Sequence, residues 1–291
     1  MGNEVGAVTS REAGADGVGE ALLAAVENTV KAVVATEVIP RWRQLADADI
    51  ATKSGPYDLV TTADRLAEER LTEQLTALLP GSVVVGEEAV SADPAVLDRL
   101  RGAAPVWVVD PVDGTAAFVR GQDTFATLVA LVVDGEPVAS WTYAPRLGLF
   151  ATARRGHGAY LGGERLRTAD AGRPLRLWTS NPVFRTARER EMLAGLEAGG
   201  VECLPCCCAG LAYLEVARGE TDGVAFFWES PWDHAAGLLL VAEAGGASRT
   251  ASGVPFRVPG SNALPFTVAR DAATARRVVQ LMTGGPGEEK G

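Results

Sequence analysis

Histidine is almost missing from this sequence: 291 residues contain only His157 and His234. Cysteine is nearly as scarce, and all four stand in one short stretch, Cys203, Cys206, Cys207 and Cys208. A tetrahedral zinc site draws on well-spaced ligands, usually two separated pairs, and no second pair exists here. Cysteines so close together cannot staple a fold, so they read as small side chains in a core or loop, suited to a reducing compartment. No apolar run approaches the ~20 residues of a membrane helix. The run 127–133 is short and reads as a buried strand. The first twenty residues carry Glu4, Glu12, Asp16 and Glu20, with neither a basic start nor an apolar stretch. No secretory leader is therefore expected, and the protein is expected to be cytoplasmic. Basic residues are also in deficit. With 27 Lys and Arg against 37 Asp and Glu the net charge is −10, a field that repels nucleic acid and anionic membrane. A phosphorylated substrate would meet the same repulsion unless divalent cations neutralised several carboxylates.

The apolar share of 47% is enough for a large buried core, as one long α/β domain or two closely joined halves. The polar, Gly/Ala-rich ends, 1–17 and 284–291, are expected to be disordered tails. That leaves a single domain over 18–283 with two αβ halves of about 18–170 and 171–283. Helical spacing predicts a helix over 20–39 stopped by Pro40, then a turn at 53–56. A second helix opens at Asp64, with Leu71, Leu75, Leu78 and Leu79 on one face and Pro80-Gly81 as its stop. Between 124 and 167 the pattern changes to strands and tight turns, with Asp134-Gly135 as a hairpin signal. Strands near 175–179 and 223–228 and helices near 186–197, 210–218 and 233–244 follow. There is no internal repeat and no low-complexity linker. Helices and largely antiparallel strands in layers, an α+β architecture, fit this order.

One run concentrates the chemistry: Trp107-Val108-Val109-Asp110-Pro111-Val112-Asp113-Gly114-Thr115. An apolar strand ends in two carboxylates, and Gly114 and Thr115 are placed to start the next element. Pro111 fixes one φ angle and Gly114 permits close backbone approach, so both side chains and the Val112 carbonyl can converge. These hard oxygen donors suit Mg²⁺ better than Zn²⁺. Beside backbone N–H groups able to hold an anion, they point to metal-assisted chemistry on a phosphate. Three more acids end a strand or open a helix: Asp64 after Leu59-Val60-Thr61, Glu87 after the strand 83–85, and Asp233 after Pro231-Trp232. Taken singly, each reads equally well as a helix N-cap or a solvated loop carboxylate.

Other phosphatase chemistries do not fit. A covalent aspartyl-phosphate enzyme sets its carboxylates at i and i+2, whereas Asp110 and Asp113 stand at i and i+3. A cysteine phosphatase needs a thiolate in a basic loop, but Cys206 to Cys208 lead into Ala209-Gly210-Leu211. A histidine phosphatase needs Arg-His-Gly; Arg155-Gly156-His157-Gly158 reads as a turn and also fails as a dinucleotide fingerprint. Direct attack by water, assisted by metal, is left.

Four motifs stand in order: Asp58-Leu59-Val60-Thr61-Thr62-Ala63-Asp64, Gly86-Glu87-Glu88, Asp110-Pro111-Val112-Asp113-Gly114-Thr115 and Trp232-Asp233-His234-Ala235-Ala236-Gly237. In these the chain resembles the inositol monophosphatase family of Mg²⁺-dependent, lithium-sensitive phosphatases, over about 53–246. The resemblance implies a layered αβαβα sandwich, hydrolysis of a small phosphate monoester, two or three Mg²⁺ per site and, commonly, a homodimer. It assigns Glu87, Asp110 and the Val112 carbonyl to one metal and Asp110, Asp113 and Asp233 to a second. Thr115 paired with Asp64 would position and help deprotonate the attacking water, with Glu87 beside them among the catalytic residues. Asp113, Gly114, Thr115 and Asp233 would face the substrate, the N–H groups of Gly114 and Thr115 binding phosphate oxygens.

Lys53 matches a family lysine near a third, weaker metal; without the family it reads as an ordinary surface lysine. Where the inositol enzymes carry a sugar-binding glutamate, seven residues before the Trp-Asp aspartate, this chain has Phe226. It stands in an aromatic run, Phe226-Phe227-Trp228, with Glu229 next to it, while Cys208 falls near a family serine. The alcohol part of the substrate is therefore open among inositol, a sugar, histidinol and a 3′-nucleotide. The remaining reading is a metal- or phosphate-binding regulatory protein without turnover. Retention of Asp64, Glu87, Asp110, Asp113, Thr115 and Asp233 together argues for catalysis.

Overall fold

The computed structural model describes residues 18–53, 59–169 and 174–284. The expected tails over 1–17 and 284–291, save Gly284, lie outside these residues, as do Asp58 and the turn beyond Lys53. In chain order the first elements are α1 (Glu20–Val33), β1 (Ile50–Thr52), β2 (Leu59–Thr61), α2 (Thr62–Leu78), β3 (Val83–Gly86) and α3 (Glu87–Ala92). Next come β4 (Val106–Asp113), α4 (Thr115–Val119), β5 (Ala126–Val133), β6 (Glu136–Ala144), β7 (Leu149–Arg154), β8 (Gly158–Leu161) and β9 (Glu164–Arg165). The second half holds β10 (Arg176–Thr179), α5 (Ala187–Ala198), β11 (Glu202–Pro205), α6 (Ala209–Ala217) and β12 (Gly223–Phe226). It closes with α7 (Pro231–Glu243), β13 (Ala247–Thr250), β14 (Phe266–Ala269) and α8 (Ala272–Thr283).

Two large sheets form. A seven-stranded sheet runs β3-β4-β5-β6-β7-β8-β9, antiparallel except for the parallel β3–β4 pair. A five-stranded sheet runs β11-β10-β12-β14-β13, with β10 parallel to both of its neighbours. Alternation along the strands explains how each sheet is covered on two faces. In β4, Trp107 and Val109 join the side chains of α1 and α2 in one apolar cluster. Val106 and Val108 point the other way, into a cluster shared with α6, α7, Val224, Phe226 and Phe266. A third cluster sits beyond the five-stranded sheet, where Leu177 and Ala225 meet Leu193, Leu196 and Val278 of α5 and α8. The order helix, sheet, helix, sheet, helix is the αβαβα sandwich.

Two stretches differ from the sequence reading. The first helix leaves α geometry at Val34, continues as a π-helical turn to Val38 and ends in a 3₁₀ turn through Pro40. Proline has no N–H to continue the ladder and its ring crowds the preceding turn, so the helix unwinds ahead of it. The chain after 245, left without elements by the sequence reading, supplies β13, β14 and α8. In α8 the buried Ala275, Val278, Val279 and Met282 follow helical spacing after an Asp271 cap on the Thr274 N–H (2.7 Å).

Candidate active site

Asp110 and Asp113 are an odd number of positions apart, so on a regular strand they would point to opposite faces. The pairing of β4 with β5 shows what prevents this. Asp110 faces Leu128 and Asp113 faces Ala126, so β4 carries one extra residue over this interval, a β-bulge. The Thr127 hydroxyl donates to the Pro111 carbonyl (2.7 Å) inside the bulge. Such a bulge re-aims side chains, and here it turns both carboxylates to one side. They meet Asp233 there, and one oxygen from each of the three lies within 4.8 Å of the others.

Each acid of this trio is held by a different device. Asp110 accepts the Val112 N–H (3.1 Å) across the bulge. Asp113 is fastened to the first turn of α6: the N–H groups of Ala209 (3.0 Å) and Gly210 (2.6 Å) donate to it, and so does the Cys208 thiol (3.0 Å). Asp233, in the first turn of α7, accepts the Trp228 indole N–H (2.8 Å). The loop carrying Trp228 is tied down by His234, whose Nε2–H donates to the Trp228 carbonyl (3.1 Å). Its Nδ1 is then left to accept the Tyr213 hydroxyl (3.0 Å). Burial lowers the His234 pKa to about 3, so this imidazole stays neutral and serves as a strut.

Asp64 is the third residue of α2 and not its N-cap, which is Thr61. Its Oδ2 accepts the Thr61 N–H (2.8 Å) and hydroxyl (2.5 Å), completing a capping box at the start of α2. Its Oδ1 faces the Thr115 hydroxyl (3.3 Å), which also lies 3.0 Å from the Val112 carbonyl. Burial raises the Asp64 carboxyl to about 7, the Thr61 hydroxyl pulls it back, and Glu87 adds to the rise. Gly114 turns the chain between strand and α4 at φ 87°, where a side chain would meet the Thr124 and Cys207 carbonyls.

Glu87 is the first residue of α3 and lies outside the trio of close oxygens. Its carboxylate and that of Glu88 both hold the Lys53 ammonium, at 2.6 Å each. Lys53 is thus no ordinary surface lysine. Burial works against its charge, yet the Glu87 and Glu88 carboxylates outweigh this and lift its pKa.

A cleft of about 830 Å³ opens over these groups, lined by Lys53, Glu87, Asp113, Gly114, Thr115 and Asp233. Its lining also includes Ser180, Asn181, Phe184, Phe227, Trp228 and Trp232. Phe226 is not part of it. Its ring is fully buried against Trp228, His234 and Phe266, so the position that differs from the inositol enzymes is core. Glu229 is committed to Asn262, whose backbone and side-chain N–H groups both donate to it at 2.9 Å. Of the cysteines, Cys206 and Cys208 are buried, and the exposed Cys207 stands at the cleft. The sequence reads this cluster as packing, with Cys208 near a family serine, and does not reveal the thiol bond to Asp113. It also missed the Tyr213–His234–Trp228 strut.

The electrostatics call for a cation. Burial pushes the Asp110 carboxyl well up, and Glu87, Asp113, Asp233 and Asp64 push it further. Asp233 is raised by burial and then by Asp113 and Glu87. Asp113 is also raised by burial, against the pull of its three donors. Among the described residues, no lysine or arginine bonds to any of the three. Buried like charges left unpaired are costly, whereas an all-oxygen donor set of this kind fits a hard divalent cation.

Residues 20–280 match the inositol monophosphatase family. The chain belongs to that family. An inositol-1-monophosphatase of Rhizobium meliloti is 37% identical over 212 residues, covering 68% of this chain and 74% of the relative. The solved inositol monophosphatase of Thermotoga maritima superposes with a TM-score of 0.74 at 24% identity, over 92% of this chain and 98% of that one. The extragenic suppressor protein SuhB of Bartonella henselae gives 0.74 at 26% identity, over 91% and 98%. As a member of the inositol monophosphatase family the protein is a phosphoric monoester hydrolase, of a family that is in general Mg²⁺-dependent. No helix among the described residues is long and apolar enough to cross a membrane.

Proposed function

We propose that the protein hydrolyses a small phosphate monoester with Mg²⁺ held by Glu87, Asp110, the Val112 carbonyl, Asp113 and Asp233. The observation that carries this reading is the trio of Asp110, Asp113 and the half-buried Asp233, the last two of which line the cleft, beside the Asp64–Thr115 pair. Bound divalent cations supply Lewis-acid polarisation of the phosphoryl group and lower the pKa of water. The chain's own residues do the rest. The Thr115 hydroxyl passes its proton to Asp64 Oδ1 and takes one from the attacking water. In the metal-free protein burial raises this carboxyl to about 7, within reach of proton exchange with a hydroxyl. The N–H groups at the start of α4 face the phosphate oxygens, as the first N–H groups of any helix lack internal acceptors. SuhB-named relatives keep a regulatory reading in view; the complete acid set and the Thr115 hydroxyl favour turnover.

For the alcohol, we infer a flat ring such as an imidazole or a nucleobase in preference to a bare polyol. Phe184, Phe227 and Trp232 wall the cleft, and the place of the polyol-binding glutamate is taken by core Phe226. Aromatic walls gain most from stacking on a ring. The test is phosphate release, as relative kcat/KM with Mg²⁺, from histidinol phosphate, 2′- and 3′-AMP, a hexose phosphate and myo-inositol 1-phosphate. Ring-bearing esters should lead. If inositol 1-phosphate leads tenfold the ring reading fails, and if no ester yields phosphate the phosphatase reading fails.

A further inference from the structure

Glu68 has no part in the chemistry above, yet its carboxylate is buried on α2, one turn after Asp64. Its oxygens accept the N–H groups of Glu88 (2.7 Å) and Ala89 (2.8 Å), the second and third residues of α3. In most helices a side chain on the N-cap residue does this. The N-cap of α3 is Gly86, which has no side chain to offer. Its φ of −108° suits any L-residue, so the glycine is not there for its backbone freedom. It is there for room: a Cβ on Gly86 would lie within 2.6 Å of both Glu68 oxygens. Gly86 and Glu68 are therefore a matched pair, a helix cap delivered from a neighbouring helix.

We propose that Glu68 is a positioning residue for the metal site. By clamping the start of α3 to α2 it sets Glu87, the first residue of α3, in register with Asp64 on the same α2 helix. The proposal rests on the reading that Glu87 is a metal ligand. A carboxylate is needed for the clamp because both of its oxygens accept, whereas an amide offers one acceptor and opposes the second N–H with its own.

The test uses Mn²⁺ binding to metal-free, full-length protein, followed by electron paramagnetic resonance, together with thermal unfolding in EDTA. The variants are E87Q, E68A, G86A and the double E68A/G86A. E87Q and E68A should each weaken Mn²⁺ binding tenfold or more. G86A should do the same, because its methyl group displaces the Glu68 carboxylate. The double variant should bind no more weakly than E68A alone, since the methyl then has room. If E68A melts earlier but binds Mn²⁺ within twofold of wild type, Glu68 is only structural and the proposal is overturned. Multiplying losses in the double variant overturn it too. If E68A does not fold, E68Q replaces it: weakened binding supports the clamp and unchanged binding refutes it. If E87Q itself binds like wild type, the ligand reading fails and the proposal falls with it.

Discussion

Asp110→Asn alters one charge and almost no volume at a point where burial and four neighbouring carboxylates oppose ionisation. The amide oxygen can still accept the Val112 N–H, so the bulge is kept. Two unit charges 4.8 Å apart, the outer spacing within the trio, repel by about 3.5 kcal/mol at an effective dielectric constant of ~20. Proton uptake by the raised carboxyls relieves part of this in the metal-free protein. The neutral amide should therefore add about 1–3 kcal/mol to metal-free stability, a rise of roughly 2–5 °C in Tm. With Mg²⁺ in excess the order should reverse. Wild type gains stability by binding the cation, while the variant has lost a ligand that the cations share. Thermal unfolding of both proteins in EDTA and in Mg²⁺ measures the crossing, and a phosphate-release assay should find the variant inactive. A variant that melts below wild type in EDTA, or gains as much from Mg²⁺, would refute the reasoning.

Three further outcomes are expected. Thr115→Ala should lower kcat by roughly 10²–10⁴-fold with KM little changed, because the hydroxyl handles the proton of the attacking water; steady-state kinetics decide this. Cys208→Ala removes one of three donors to Asp113 and should weaken Mg²⁺ activation by about 1 kcal/mol, roughly fivefold, whereas Cys208→Ser should keep most of it. His234 has a pKa of about 3 in the fold against an ordinary value of 6.5, so below pH 6.5 the unfolded chain takes up a proton that the fold refuses. Its contribution is intact above pH 6.5 and falls as the pH drops towards 3, by on the order of 4 kcal/mol. Urea unfolding across that window should show the slope, and His234→Gln should flatten it.

Much of the site was legible because its parts obey local rules. Asp110 and Asp113 follow the apolar run Val106 to Val109 within one buried strand, and Asp64, Glu87 and Asp233 each sit in the first turn of a helix. What was not legible depends on pairing across the chain. The extra residue of the β4 bulge is defined only against β5. The thiol of Cys208 acquires a role only once α6 is docked on Asp113. The count from Asp233 puts Phe226 in the substrate region and its aromatic run reads equally as a buried strand; its ring packs from β12 against the central helices. Two signals were available and passed over. Glu68 is an acid on the buried stripe of α2 with Asp64, Leu71 and Leu75. The spacing of Ala275, Val278, Val279 and Met282 is that of an amphipathic helix.

The central claim is that Glu87, Asp110, Asp113 and Asp233 hold the divalent cations of a phosphomonoesterase. Anomalous diffraction at the manganese edge, from crystals grown with an activating concentration of Mn²⁺, tests it most directly. The account predicts peaks on either side of Asp110, one towards Glu87 and the Val112 carbonyl and one towards Asp113 and Asp233. A cleft without anomalous density under those conditions, or peaks bound only by other residues, would contradict it.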